Sequence, residues 1–209
     1  MTEKDMLNHE GNPFAGLSRF WENCLPDAHT AVYCARFPEA NSVESQVAPQ
    51  TLRQWQWQES RRCELQVHEA LLAKGASANA ILSSISHSEN WTVAVGAAQK
   101  NAQSKVLRGV GLDIESSRRA VSHRVSDRIT GEEERNFPLT PLEVWVSKEA
   151  CWKSVPGNTG TVVWEVCIKS YDAETKRGRF VGPRGLAQGE FQLCHLDGWV
   201  VGLAAAYKP

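Results

Sequence analysis

The chain has 209 residues, enough for one large domain or two small ones around a substantial core. Its 42% hydrophobic and 22% charged residues exclude disordered and collagen-like classes. A formal net charge of −1 and a pI of about 6.6 leave no whole-molecule electrostatic case for nucleic acid or an anionic membrane surface. The six cysteines are scattered, with no C-x-x-C pair and no histidine at zinc-ligand spacing, and read as reduced thiols. No apolar run approaches the roughly 18 residues of a membrane span, and the N-terminus lacks a signal-peptide core, so the expected compartment is the cytoplasm.

Taken in chain order, Thr30-Ala-Val-Tyr-Cys-Ala-Arg36 reads as a strand followed by a polar stretch over 38–50. Leu52, Trp55, Leu65, Leu71 and Leu72, with Gly75 as a stop, predict one or two helices over 51–74, locally basic through Arg53, Arg61 and Arg62. The runs 81–87 and 91–97, separated by Ser88-Glu-Asn90, predict a β-hairpin with His87 at its turn. Val106-Leu-Arg-Gly-Val-Gly-Leu-Asp-Ile-Glu115 predicts a further strand. Gly131-Glu-Glu-Glu134 and Pro141-Leu-Glu-Val-Trp145 read as helix starts, the second helix running to about Lys153. Strands are expected over 162–168, 179–181, 190–195 and 199–207. The pattern divides near Lys105 into an N-terminal half, 1–105, and a C-terminal half, 106–209.

The chemistry concentrates in two places. On a strand, Gly111, Asp113 and Glu115 share one face while Val110, Leu112 and Ile114 take the other. Convergent carboxylates suit a hard cation such as Mg²⁺, and Gly111 leaves room beside them for a ligand. A D-x-E triplet alone reads more readily as solvated acids on an edge strand and decides nothing by itself. On the following helix, Glu149 and Lys153 are i,i+4 neighbours on a face shared with Trp145 and Trp152. An i,i+4 Glu-Lys pair is common on helix surfaces, but flanking tryptophans point to a partly buried site, where a charged pair needs a purpose.

Val110-Gly-Leu-Asp113-Ile-Glu115, then Trp145-Val-Ser-Lys148-Glu149-Ala-Cys-Trp-Lys153, resembles the signature pair of the larger, pseudo-dimeric 4′-phosphopantetheinyl transferases. That family pairs V-G-x-D-x-E with W-x-x-K-E-[AS]-x-x-K, and has an S-H ahead of the acidic strand that Ser86-His87 matches. The resemblance spans residues 60–155. It implies an α+β fold of two similar α/β halves related by a pseudo-twofold, with the active site between them and a monomer sufficient. It further implies Mg²⁺-dependent transfer of the 4′-phosphopantetheine group of coenzyme A to a serine of an apo acyl- or peptidyl-carrier protein, releasing adenosine 3′,5′-bisphosphate. On that likeness Asp113, Glu115 and Glu149 hold the metal, and Glu149 and Lys153 are catalytic. Arg61, Arg62, Ser86, His87, Lys148 and Lys153 contact the coenzyme A phosphates.

The chain departs from the family where a G-[KR]-P segment precedes the hairpin: Lys74-Gly75-Ala-Ser-Ala-Asn-Ala80 stands there instead. Two other readings therefore stay open. One is a non-catalytic paralogue that binds carrier protein or coenzyme A; the other is an unrelated Mg²⁺-dependent phosphohydrolase built on the D-x-E pair.

Overall fold

The protein is described here by a computed structural model covering residues 12–36, 49–100 and 106–208, with 49–53 traced as backbone alone. Its elements are α1 (Leu17–Cys24), β1 (Ala28–Arg36), α2 (Pro49–Ala73), β2 (Leu82–Ser88), β3 (Trp91–Gln99), β4 (Leu107–Ser116), α3 (His123–Ile129), α4 (Pro141–Ser154), β5 (Cys167–Asp172), β6 (Arg177–Val181), β7 (Gln188–Leu196) and β8 (Trp199–Tyr207). The strands form two antiparallel sheets, ordered β1-β3-β2 and β4-β8-β7-β6-β5, so the architecture is mixed α+β. Those of the first sheet end at Gln99 and those of the second begin at Leu107.

The same pairing recurs in both sheets. In each, the first strand and the second-last strand of the segment flank the last one, antiparallel to it: β1 and β2 around β3, β4 and β7 around β8. Each central strand opens on a tryptophan after a two-residue turn, Ser88 facing Trp91 and Leu196 facing Trp199. The first turn residue has positive φ in both, 51° at Glu89 and 31° at Asp197. The two strands, WTVAVGAAQ and WVVGLAAAY, are buried along nearly their whole length. Strands covered on both faces lose the apolar–polar alternation and read as continuous apolar runs.

Helices cover the outer faces. Cys63, Val67 and Leu71 of α2 pack on Ala31, Ala35 and Ala94. Val146, Ala150 and Cys151 of α4 pack against Phe191, Leu193, Val200 and Ala204. Between the sheets lies a third apolar layer, with Val32, Val93 and Val95 on one side and Val110, Leu112, Ile114, Val201 and Leu203 on the other. Leu17 and Trp21 of α1 join it, and Phe14, fully buried, contacts both Trp91 and Trp199 with ring centroids 5.5 and 5.3 Å away. Area burial of this kind is the main favourable term in folding.

Several local expectations shift. Residues 51–73 are part of one helix, and the hairpin forms, but His87 lies on β2 opposite Thr92 while the turn itself is Glu89-Asn90. Gly131-Glu-Glu-Glu134 starts no α-helix: it leads into a single 3₁₀ turn, Glu133–Asn136, because the Glu134 side chain is drawn into the interior. The strand expected over 162–168 begins later, at Cys167, after a 3₁₀ turn at Val163–Glu165. The polar stretch over 38–48 and the link over 101–105 lie outside the described residues. All six cysteines are free thiols, and burial pushes Cys24 and Cys63 up to about 12. Among the described residues no helix is long and apolar enough to cross a membrane.

Candidate active site

The site begins with a strand and a helix brought unusually close. Thr140 caps α4, accepting from Glu143 N at 3.3 Å while the Glu143 carboxylate takes the Thr140 amide at 2.8 Å, and Pro141 occupies the first turn. The helix then runs across β4 over Gly109 and Gly111, where an added Cβ would collide with the carbonyl oxygens of Ser154 and Ala150. The room left by Gly111 is thus filled by the α4 backbone, not by a ligand. Asp113 and Glu115, further along the same strand face, emerge beside the helix, and Val110, Leu112 and Ile114 point the other way into the inter-sheet layer.

The free edge of β4 is met by a row of serines from β2. Period two along that strand sets Ser84, Ser86 and Ser88 on one side. Ser84 Oγ accepts from Leu112 N at 3.0 Å and Ser86 Oγ from Ile114 N at 3.3 Å. Ser86 donates to Asp113 Oδ1 at 2.8 Å, and Ser88 donates to Glu115 Oε2 at 2.9 Å. Hydroxyls both donate and accept, which is why serine can bind backbone and carboxylate at once.

Cations complete the neutralisation. Lys153 Nζ lies 2.8 Å from Asp113 Oδ1 and 3.3 Å from Ser86 Oγ. Arg119 pairs with Glu115 Oε1 and stacks over Trp145 of α4 at 5.3 Å. Asp113 Oδ2 is buried and has no hydrogen-bond partner among the described residues, which is costly for a carboxylate oxygen unless something else engages it. Glu149, half-buried, completes the group. Burial first, and the Asp113 charge second, push its carboxyl above the ordinary carboxylate range, against the lowering pull of Lys153 and Arg119.

Donor type alone suits a hard cation: Asp113 keeps a buried, unpartnered carboxylate oxygen, and its charge lies near enough to Glu149 to raise that carboxyl. Mg²⁺ commonly takes one or two carboxylates and fills its remaining positions with water and phosphate. Among the described residues, however, no group of three or more His, Cys, Asp or Glu side chains is disposed to hold a metal. Asp113, Glu115 and Glu149 are not gathered into one ready cluster; the strand acids pair with Lys153 and Arg119 instead.

Of the other residues singled out from sequence, Ser86 joins the site and His87, exposed on β2, is its neighbour in the chain. Lys148 does not. Its ammonium is buried against Glu134 at 2.7 Å and the Ile129 carbonyl at 2.5 Å, away from Lys153 on α4, so in the described structure it is held in an internal ion pair. Glu134 is further held by the amides of Gly131 and Ile168, at 2.6 and 2.7 Å. Arg61 and Arg62 are exposed on α2 and pair with Glu64 and Glu59 of the same helix at 3.1 and 2.7 Å. The structure does not bring them to the carboxylates.

Sequence reasoning missed Ser84, Ser88, Arg119 and Glu134. The alternate serines of Ser84-Ile-Ser86-His-Ser88 were a readable signal; Arg119 stands four residues beyond Glu115 but its stacking on Trp145 is tertiary. No family model matches the chain, and no curated protein does either.

Proposed function

We propose that this chain is a Mg²⁺-dependent phosphopantetheinyl transferase, moving the 4′-phosphopantetheine group of coenzyme A onto a serine of an apo acyl- or peptidyl-carrier protein and releasing adenosine 3′,5′-bisphosphate. The observation that carries this reading is Asp113: a buried carboxylate with one oxygen held by Ser86 and Lys153, the other left without a hydrogen-bond partner among the described residues, and a charge close enough to raise the Glu149 carboxyl. A surface ion pair needs no such arrangement. The repeated strand order of the two sheets supports the pseudo-twofold architecture that the sequence resemblance implies.

On the resemblance, Asp113, Glu115 and Glu149 would hold Mg²⁺, although the described structure does not gather them around one point; when bound, it would offset the charge of the pyrophosphate and polarise the reacting phosphorus. The protein groups do the rest. Glu149 is the carboxylate that would take the proton of the attacking serine hydroxyl, directly or through one water. As the serine oxygen–phosphorus bond forms, the bond from that phosphorus to the bridging oxygen breaks, and the electron pair leaves with the adenylyl phosphate. Lys153, on the same helical face, faces the charge that builds on the phosphate oxygens. Ser86 holds Asp113 in place from the other half of the chain, and His87, exposed next to it, is the residue of β2 left to meet a phosphate.

A second reading, a non-catalytic paralogue that binds carrier protein or coenzyme A, is favoured by one observation: Arg61, Arg62 and Lys148 are committed to Glu64, Glu59 and Glu134. Incubation with coenzyme A, Mg²⁺ and a panel of apo-carrier proteins, read by intact mass, separates the two. A phosphopantetheine adduct supports transfer; coenzyme A binding with no adduct on any carrier supports the second reading.

A further inference from the structure

We infer that the outward face of α2 is a self-association surface, on which a second copy of this chain lays its own α2 antiparallel. The inward face of the helix, with Cys63, Val67 and Leu71, packs on the three-stranded sheet. Four of the eight large apolar side chains exposed among the described residues nevertheless lie on this one helix: Trp55, Trp57, Leu65 and Leu72. Single exposed apolar residues need no explanation, but several aligned on one element mark a contact surface. Trp57, Leu65 and Leu72, exposed by 63, 61 and 46%, follow one another at eight and seven residues, about two helical turns each. They form one stripe on the side away from the sheet, with the spacing of a seam between paired helices.

The charges beside the stripe select the occupant. In a twofold antiparallel pair centred on Leu65, residues equally far before and after it lie level, and flanks of the same hand meet. Leu65 then meets its own copy on the axis. Trp57 comes level with Leu72 on one flank, and Arg62 with Glu69 on the other, each to within one residue of the helical rise. Glu69 is exposed and accepts from the Gln66 side chain at 2.9 Å, and no cation among the described residues pairs with it. Arg62 holds Glu59 at 2.7 Å with its side chain 58% exposed, which leaves guanidinium donors for a second carboxylate. A parallel pair would instead set Arg62 against Arg62 and Glu69 against Glu69, an arrangement that like-charge repulsion opposes. No residue of the acid group takes part.

The test is sedimentation equilibrium of the full chain under reducing conditions, from about 1 to about 100 µM, the range suited to a small interface. The samples are the parent, Leu65→Glu, Arg62→Glu, Glu69→Arg and the variant combining Arg62→Glu with Glu69→Arg. All three positions are exposed, so the substitutions leave the core untouched. The parent is expected to dimerise. Leu65→Glu, which sets two carboxylates against each other on the axis, is expected to weaken the dimer at least about 30-fold. Each single charge reversal is expected to weaken it about fivefold, and the combined variant to return within about twofold of the parent. Oxidative cross-linking reads the register: Leu65→Cys should give a disulfide-linked dimer. Gln58→Cys, roughly 20 Å from its own copy in this pairing, should give no more dimer than the parent's cysteines do. A parent that stays monomeric over the range overturns the surface, and a dimer that Leu65→Glu leaves intact overturns it by moving the contact elsewhere. Equal cross-linking by Gln58→Cys and Leu65→Cys, or a combined charge variant no better than the single ones, overturns the antiparallel register.

Discussion

Lys153 Nζ stands 2.8 Å from Asp113 Oδ1, so a helix cation and a strand carboxylate are joined across the α4–β4 contact before any ligand is present. Asp113 is the more buried partner, its side chain 7% exposed against 24% for Lys153. Replacing Lys153 by Met strands that carboxylate with Ser86 as its remaining donor. The expected cost is about 2 kcal/mol, discounted for the exposed end of the lysine. Urea unfolding with and without Mg²⁺ checks this: the variant should regain stability in Mg²⁺ by a larger increment than the parent does, since a bound cation stabilises the native state by mass action. An equal increment in both would detach Lys153 from the cation site.

Glu149 gives a pH signature. Burial and the Asp113 charge raise its proton affinity, so between the ordinary carboxylate pKa and the raised one the native chain keeps a proton that the unfolded chain has released. Stability contributed by this residue is therefore present at acid pH and falls as pH rises through that window. Glu149→Gln, neutral at every pH, should be more stable than the parent at about pH 8 in a chelator, with the difference closing toward about pH 4. Denaturation midpoints across pH decide it. A variant less stable than the parent at the alkaline end would mean that the Glu149 charge is welcomed by Lys153 and Arg119, contrary to the balance described.

Lys148 separates stability from catalysis. Breaking a buried, hydrogen-bonded ion pair by removing one partner costs about 3–5 kcal/mol, and Lys148→Met should fall in that range by chemical unfolding. The KM for coenzyme A, measured on folded protein below its transition, should stay unchanged, because the ammonium faces Glu134 and the Ile129 carbonyl. A stable variant with a raised KM would return Lys148 to the coenzyme's phosphates.

What the sequence made legible followed from short-range rules. The common face of Gly111, Asp113 and Glu115 follows from strand period, the start of α4 from Pro141, and the hairpin from two apolar runs around Ser88-Glu-Asn90. Facts that depend on a distant partner were out of reach. Nothing near Lys148 announces Glu134, which is 14 positions back on a 3₁₀ turn, and nothing in the Gly111 spacing tells whether a ligand or a helix backbone will fill the gap. The resemblance of WTVAV at 91–95 to WVVGL at 199–203 was present in the letters, but such apolar runs are too common to carry weight until strand pairing sets Trp91 and Trp199 in the same register position, one on each side of Phe14. Arg61 and Arg62 show the converse: a basic helix face is readable, and its local glutamates Glu59 and Glu64 were equally readable as partners.

The central claim is that Glu149 acts in phosphopantetheine transfer, and the most direct measurement compares the parent with Glu149→Gln, each incubated with coenzyme A, Mg²⁺ and apo-carrier proteins and read by intact mass. The account predicts an adduct on at least one carrier with the parent, and a rate lower by about 10²–10⁴-fold with a folded Glu149→Gln. No adduct on any carrier from a parent that binds coenzyme A, or undiminished transfer by Glu149→Gln, would contradict it.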